Sequence, residues 1–598
     1  LAQEFADRAR NLGGVKKVDL YGEPSEEIRV EIDEQALTAR GLSLQQVASS
    51  LQAADPKIAA GRTSGSGTDL LIEVAGDFDN MTRIRDVILA TAPSGATVKV
   101  GDVATVYKAH TTPPPAMAVT EGRPGILVGV MVNDGLQVDA WSRTFADFAA
   151  AWAAAAPAGV LLETTYDQSV YTRARLAGVA ENLALGVVLV LLVLLGTLGW
   201  RAAVVVAIIL PLCALSSIAI LQYWGVALHQ MSITGLIVAL GLLVDGSIVM
   251  TDEVRKRLLQ GHSPLESLSG AVHRLRVPLI SSTVTTILAF MPLVVLPGPS
   301  GDFMGSIAKS VVAMLGSSLV LAMTLTPVLA SWLLPRGLER PHHWWEQGLN
   351  SGRMGIALQR SMDWSLRHPW ASIALALVLP ITGFLAFPTL TAQFFPGTDR
   401  DQMYIQVKMP DGRSIYDTRD LVLEMDAYLR EYPLVKRVDW TIGESPPAFY
   451  YNMYRMKERI PSWAEALVLT TDEDRTDELI RTLQREFDAR FPAARVIVRG
   501  IDQGPPVMAP LEVELFGPNL EVLRQLGEEF RLRLEQIPDV THTNTSLTGG
   551  APKLVFALQE DKLRLAGLQL SDGPAPRAPR LRGPTAGEIL EDTERLPV

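Results

Sequence analysis

A single carboxylate interrupts the most apolar stretch of this chain. Gly235–Asp252 reads G-L-I-V-A-L-G-L-L-V-D-G-S-I-V-M-T-D, and every residue ahead of Asp245 in it is apolar or glycine. A run of this length and character belongs in a bilayer. On translocon scales a charge at the centre of a membrane helix costs about 2.5–3.5 kcal/mol. Ionisable groups at such positions mark ion pathways and proton relays, so Asp245 is the first candidate for chemistry. The plainer alternative is a polar residue beside a water-filled pocket. Glu181 stands where the first apolar segment begins and either supports the same path or marks the interface. Asp252 and Glu253 lie near a basic loop and read as interfacial acids. The hydroxyls from Ser281 to Thr286 line a water path or bond back to their own helix.

A second constellation is apolar. The run G-E-S-P-P-A-F-Y-Y-N-M-Y-R-M places Gly443, Phe449, Tyr450, Tyr451, Met453, Tyr454 and Met456 in one loop region. Aromatic rings and methionine give large, adaptable contact without strict geometry. That chemistry suits a pocket accepting many amphiphiles, or else a local core. Met403, Met409, Met453, Met456 and Met508 raise a rival, since soft thioethers hold monovalent copper or silver. No tight methionine pair supports it.

Other classes are excluded by what is missing. There is no nucleophile–His–acid pattern, P-loop or H-E-x-x-H in the sequence, so neither an enzyme, a cofactor nor a metal site is expected. Cys213 is the one cysteine, which rules out an internal disulfide. A net charge of −11, with no basic cluster interleaved by aromatics, argues against nucleic acid.

The elements that must position these residues are read from periodicity. Residues 1–180 alternate short strands and helices: helices over Glu4–Leu12, Asp33–Arg40, Ser43–Leu51 and Asp139–Ala155, strands over Lys17–Tyr21, Ile28–Ile32, Leu70–Val74, Thr97–Val100, Ile126–Val132 and Leu161–Tyr166. Six membrane segments follow, at Leu183–Leu198, Ala202–Tyr223, Met231–Met250, about Val277–Leu296, Ile307–Leu334 and Trp370–Phe387. Between the last two, His342–Arg367 reads as an amphipathic helix on the membrane surface. Arginine and lysine gather in the loops after the first, third and fifth segments, which places those loops in the cytoplasm and both soluble regions on the other side. Residues 390–598 return to short strands and helices, including strands at Met403–Met409, Val438–Thr441, Leu467–Thr471, Arg495–Arg499 and Glu512–Phe516.

The chain also repeats. Ile28–Leu44 aligns without a gap to Leu554–Leu570, matching Leu37 to Leu563, Gly41 to Gly567 and Leu44 to Leu570. The register survives to Gly61 and Gly587, and Phe5 and Val15 fall one residue out of step with Phe530 and Val540. Two copies of one unit are implied, each a bundle with soluble insertions. On that logic the chain stops mid-domain and lacks both ends, and completing both copies gives roughly 1,050 residues. Gly573–Pro584 is Pro/Arg-rich where its counterpart is not, and reads as a linker or a compensated frameshift.

These residues together resemble the RND (resistance–nodulation–division) superfamily of efflux permeases, hydrophobe/amphiphile branch, over essentially the whole chain. The resemblance rests on A-L-G-L-L-V-D-G-S-I-V-M-T-D-E-V at Ala239–Val254, on Glu181 in V-A-E-N-L, on T-L-T-P-V-L-A at Thr324–Ala330 and on T-A-Q-F-F-P-G-T-D at Thr391–Asp399. It implies a duplicated helix bundle in the bacterial inner membrane, with α+β porter and docking modules in the periplasm. By it, 1–22 is part of a porter subdomain, 23–115 the first docking half and 116–178 a porter subdomain. Residues 179–335 are family helices two to six, 336–368 the cytoplasmic surface helix and 369–390 family helix seven. Residues 391–510 are a porter subdomain and 511–598 a truncated porter/docking part. The resemblance implies proton-driven drug efflux, with Asp245 and Glu181 on the proton path and Gly241 and Gly246 at the helix packing around it. Many members carry two adjacent aspartates; here Gly246 follows Asp245. The resemblance also implies that Tyr21 and the loop at Gly443 line substrate pockets. Its partners would be two further copies in a homotrimer, a periplasmic adaptor, an outer-membrane channel, amphiphilic substrates and membrane lipid. The rivals are copper/silver export and a truncated product that does not transport.

Overall fold

A computed structural model gives the architecture. It describes residues 1–598 except 57–58, 65–68, 74–75, 92, 94, 134, 335–351, 391–399, 451–452, 454–456, 502–508, 510, 539, 541, 549, 556, 558, 566–582 and 592–593. The Pro/Arg-rich stretch and the tryptophan pair at 344–345 thus lie outside the described residues.

The amphipathic start of the chain folds as α1 (Ala2–Arg10), which buries Phe5, Ala6 and Ala9 on one face. It leads into β1 (Val15–Tyr21). A long insertion follows, held by local signals. β2 (Glu26–Ile32) is followed by α2 (Glu34–Ala39), whose first amides are capped by the Asp33 carboxylate, and by α3 (Leu44–Ala54), opened by a Ser43/Gln46 capping box. The hairpin β3 (Ala59–Ser64) and β4 (Asp69–Glu73), the short α4 (Met81–Arg85), and β5 (Ile88–Thr91), β6 (Thr97–Lys99) and β7 (Ala104–His110) complete it. β7 returns antiparallel to β2. Then β8 (Met117–Thr120), β9 (Arg123–Gly125), β10 (Leu127–Val132) and α5 (Val138–Ala155) bring the chain back. β10 pairs with β1 from Val15↔Val132 to Tyr21↔Leu127, and Phe5 packs on Phe145, Phe148 and Trp152 of α5.

The apolar middle is helical. α6 (Gln168–Leu198) begins well before the apolar run because Asp167 caps it, accepting from the Ser169 amide at 2.8 Å. Gly199, at φ +88°, separates it from α7 (Trp200–Tyr223). α8 (Gln230–Leu259), α9 (Pro264–Val295), α10 (Gly298–Met323), α11 (Leu325–Leu333), α12 (Gly352–Arg367) and α13 (Pro369–Ala386) follow. Six helical stretches are long and apolar enough to cross a membrane: Gln168–Gly196, Trp200–Tyr223, Met231–Leu259, Pro264–Val295, Met304–Met323 and Pro369–Thr389. The expected single segment Ile307–Leu334 is two helices. Pro327 cannot donate to the Met323 carbonyl and its ring crowds it, so the chain turns at Thr324, at φ −111° and ψ −70°. Helices α7, α8 and α10 share a core of Val206, Ile209, Leu210, Cys213, Leu236, Ala239, Leu243, Val311 and Met314. None of α13 is buried among the described residues.

The second soluble region is a β-α-β-β-α-β unit. β11 (Gln402–Lys408), α14 (Ile415–Leu429), β12 (Val435–Ile442), β13 (Trp463–Thr470), α15 (Thr476–Arg490) and β14 (Arg495–Gly500) give the order β14-β11-β13-β12, every pair antiparallel. β8 and β9 of the first region extend this sheet at the β12 edge. One sheet therefore joins residues some 300 apart, about a core of Met403, Val422, Met425, Trp440, Leu483 and Phe487.

α16 (Leu520–Leu534), α17 (Glu560–Leu565) and a hairpin of β15 (Glu588–Glu591) with β16 (Glu594–Pro597) end the chain. The offset that aligns Ile28 with Leu554 carries α2 onto α17 and β3–β4 onto β15–β16, so the repeat extends to structure. Ala586, Ile589 and Leu596 join Ile28, Leu51 and Phe78 in one core. The Glu588 amide donates to Asp55 at 2.9 Å, and Lys108 pairs with both Glu26 and Glu591. Two expected strands, at 161–166 and 512–516, form no strand among the described residues. Alternation alone makes no strand where no neighbouring edge offers hydrogen bonds.

Candidate functional site

Helix α8 is two-faced. Leu236, Ala239 and Leu243 are buried against α7 and α10, and Met250, Val254 and Leu258 against Ala271, Leu279 and Ala330. Val238, Gly241, Leu242, Asp245 and Val249 form the opposite stripe and are exposed. Gly241 and Asp245 share that stripe, one turn apart. The Asp245 carboxylate has no hydrogen bond or ion pair among the described residues. Ser247, two residues on, is fully buried with its Oγ unpartnered. Thr251 Oγ1 donates back to the Ser247 carbonyl at 2.7 Å.

Gly246 faces elsewhere, since consecutive helical residues point about 100° apart. A Cβ there would meet Ala322 at 3.7 Å and Leu279 at 3.8 Å, ordinary contact between helices. At Gly241 a Cβ would meet nothing within 4 Å. The close approach of α8 to α10 falls one turn and a half earlier, at Gly235, where a Cβ would stand 2.4 Å from the Ile307 carbonyl oxygen and 2.8 Å from Ser310 Cβ. Ser318 Oγ donates to the Leu243 carbonyl at 3.0 Å. These contacts put α8 and α10 parallel and in register.

Glu181 is exposed on α6, and no hydrogen bond or ion pair joins it to Asp245 among the described residues. Lys309, on α10, is a charge the sequence reading passed over. The register sets it level with Gly235, about 15 Å of helix from the Asp245 level. Asp252 pairs with Lys256 at 2.5 Å, and Glu253 with Arg257 at 2.9 Å and Arg274 at 3.4 Å. Thr285 and Thr286 bond back to carbonyls of α9, at 2.8 and 2.9 Å.

The aromatic constellation assembles from three distant segments. Tyr21 ends β1 and is 1% exposed. Gly22 follows at φ +72°, and its amide donates to Glu444 Oε1 at 2.8 Å. Gly443, at φ +87°, turns the chain where a Cβ would strike the Pro115 carbonyl oxygen at 2.6 Å. Gly129, paired with Asp19 on β1, leaves room that the Tyr21 ring and Pro447 both border. Tyr21 and the Gly443–Pro447 loop therefore meet. Phe449 packs on Tyr166, with ring centroids 4.3 Å apart, and Tyr166 stacks on Tyr171 at 5.5 Å. Arg400 lies over the Tyr450 ring at 4.1 Å. The Tyr171 hydroxyl donates to Asp401 at 3.3 Å and accepts from Gln402 at 3.0 Å. Burial pushes the Tyr166 phenol up to about 12. Met453 is half-buried, its amide bonded to the Tyr450 carbonyl at 3.0 Å. Tyr451, Tyr454 and Met456 lie outside the described residues, as does Met508.

Sequence reasoning missed Tyr166, Tyr171, Arg400 and Glu444. The available signals were a Y-D-Q-S-V-Y pair of rings at the head of a helix and an arginine between two aspartates in D-R-D. Met403 and Met409 are buried, Met403 in the sheet core, so they fill volume there. Among the described residues, no cluster of histidine, cysteine and carboxylates could hold a metal ion. Nearby, Glu465 is buried in β13 and receives Gln406 at 3.3 Å; burial raises its carboxyl above the ordinary range.

Comparison with known proteins completes the description. The sequence profile of the AcrB/AcrD/AcrF family matches residues 1–596. Among curated relatives, the multidrug resistance protein MdtC of Yersinia pseudotuberculosis (serotype O:3, strain YPIII) is 23% identical over 585 residues, covering 96% of this chain and 55% of the relative. MdtC of Klebsiella pneumoniae (strain 342) is also 23% identical over 585 residues, covering 95% and 55%. MdtC of Yersinia pestis (biovar Antiqua, strain Angola) is 23% identical over 585 residues, covering 96% and 55%. The chain spans about half the length of the curated relatives it matches.

Proposed function

The chain belongs to the AcrB/AcrD/AcrF family of RND efflux permeases, and from that premise we propose that it acts in proton-driven export of drugs or other amphiphiles. The six spans sit in the bacterial inner membrane, and residues 1–178 and 391–598 stand in the periplasm. The relatives' printed name, multidrug resistance protein, supports the substrate class. Asp245 exchanges the proton, and Glu181 lies on its path. Tyr21, the Gly443–Pro447 loop and Phe449–Tyr454 with Met456 contact the substrate. The assembly is a homotrimer with a periplasmic adaptor and an outer-membrane channel.

The observation that carries this reading is the exposed stripe of α8. A carboxylate with no partner among the described residues stands amid apolar residues in a membrane span, on a face that α7 and α10 leave open. Such a residue costs too much to keep without a use. Its partner would come from a helix placed on that stripe. The driving force is the proton gradient, about 2.3 kcal/mol per charge per 100 mV plus the pH term.

The test is expression of the complete gene in a bacterium stripped of its own pumps. Raised resistance to several unrelated dyes and detergents, with unchanged tolerance of copper and silver, is expected. Resistance confined to the metals would overturn the amphiphile reading, and no change in any resistance would overturn export.

A further inference from the structure

The aromatic cluster holds a cation that no carboxylate or carbonyl answers among the described residues. Arg400 is half-buried at the head of β11, and its Nε is shut off from solvent with no acceptor. Among the described residues its guanidinium makes no hydrogen bond and no ion pair. One face is covered by the Tyr450 ring at 4.1 Å. A guanidinium carries five N–H donors in a rigid fork, and withdrawing it from water without an acceptor leaves the desolvation uncompensated. The neighbouring carboxylate, Asp401, is already engaged by the Tyr171 hydroxyl, which Gln402 holds in turn. Beside the guanidinium, Phe449, Tyr166 and Tyr171 form a run of rings at 4.3 and 5.5 Å.

We propose that Arg400 with Tyr450, Tyr166, Tyr171 and Phe449 is a subsite for anionic aromatic amphiphiles, so that this exporter favours carboxylates and sulfonates with a fused-ring body. The inference rests on the reading of this region as the substrate site and names the class that the site selects. The ligand's anion takes the free N–H fork of Arg400 in a charge-assisted, two-point contact. Its ring body lies against Phe449 and Tyr166, where offset and edge-to-face contacts are favourable. A cationic amphiphile of the same shape meets the guanidinium charge instead. The site draws on the loop after β12, the start of β11 and the first turn of α6, so an occupant touches the helix that carries Glu181 into the membrane.

A matched pair of fluorescent probes tests it. 1-Anilinonaphthalene-8-sulfonate and N-phenyl-1-naphthylamine share one ring body and differ in the sulfonate. Binding of each to the full-length protein in detergent is measured by titration calorimetry, for the wild type, Arg400→Gln, Arg400→Lys and Phe449→Ala. The wild type is expected to prefer the sulfonate. Arg400→Gln should weaken the sulfonate about tenfold, the scale of a lost charge-assisted contact, and leave the neutral probe within about twofold. Arg400→Lys should recover part of the loss, which a folding defect would not. Phe449→Ala should weaken both probes alike. If the neutral probe binds but Arg400→Gln leaves the sulfonate unchanged, or weakens both probes equally, the charge readout is overturned while the substrate site stands. If neither probe binds the wild type, the substrate-site reading falls and this inference with it.

Discussion

Gly235 sets how closely the helix bearing Asp245 sits against its neighbour, and replacing it with alanine gives a sharp expectation. The new Cβ would lie 2.4 Å from the Ile307 carbonyl oxygen and 2.8 Å from Ser310 Cβ. The first obstacle is backbone and cannot rotate away. Ordinary contact needs a separation larger by about 1 Å, so α8 and α10 must part or shear over that distance. Overpacking of this kind costs typically about 1–3 kcal/mol, and the better helix propensity of alanine returns about 0.5–1 kcal/mol. A net loss of up to about 2.5 kcal/mol follows. Gly241→Ala is the control, because nothing lies within 4 Å of its would-be Cβ in this chain. It keeps only the propensity gain. The assay is the thermal midpoint of the full-length protein in detergent, with dye efflux measured in parallel. Gly235→Ala should unfold earlier and export less, and Gly241→Ala should unfold no earlier than wild type. Equal midpoints for all three proteins, or a larger loss at Gly241, would refute the packing argument.

Further expectations concern the soluble regions. Glu444→Leu should leave the Gly22 amide without its acceptor and cost about 1–3 kcal/mol, whereas Glu444→Gln keeps an acceptor oxygen and should cost less; thermal unfolding separates them. Burial raises the Glu465 carboxyl above its ordinary value of 4.5. In the window between 4.5 and its raised value the folded protein holds more protons than the unfolded chain. Stability contributed there is present at low pH and lost as pH rises, so Glu465→Gln should flatten the fall in midpoint with rising pH. Tyr166→Ala removes the ring between Phe449 and Tyr171 and should lower affinity for neutral aromatic probes several-fold, on the scale of about 0.5–1.5 kcal/mol for an aromatic contact, as read by calorimetry.

Much of this was legible because local signals agreed with the global arrangement. Ser43 and Asp33 mark helix starts that the structure keeps, and the repeat of Ile28–Leu44 carries α2 onto α17. The losses have physical causes. Alternation at 161–166 and 512–516 looked like strand, but pairing is a property of two segments and one was read alone. Ile307–Leu334 was read as one segment, yet Pro327 stands four residues after Met323 and parts α10 from α11. The aromatic loop was visible as a composition, whereas Arg400 and Tyr166 reach it across some 50 to 280 residues of chain. No window of sequence brackets such contacts. Gly241 and Gly246 stood out beside Asp245, but spacing could not say which glycine meets a carbonyl, and Gly235 does.

Proton coupling through Asp245 is the central claim, and proton flux tests it most directly. The full-length protein is reconstituted into liposomes with an internal pH-sensitive dye, and proton movement is recorded on adding N-phenyl-1-naphthylamine under an imposed gradient. Wild type should show substrate-stimulated proton flux, and Asp245→Asn should abolish it while still binding the probe. Undiminished proton flux in Asp245→Asn would contradict the account.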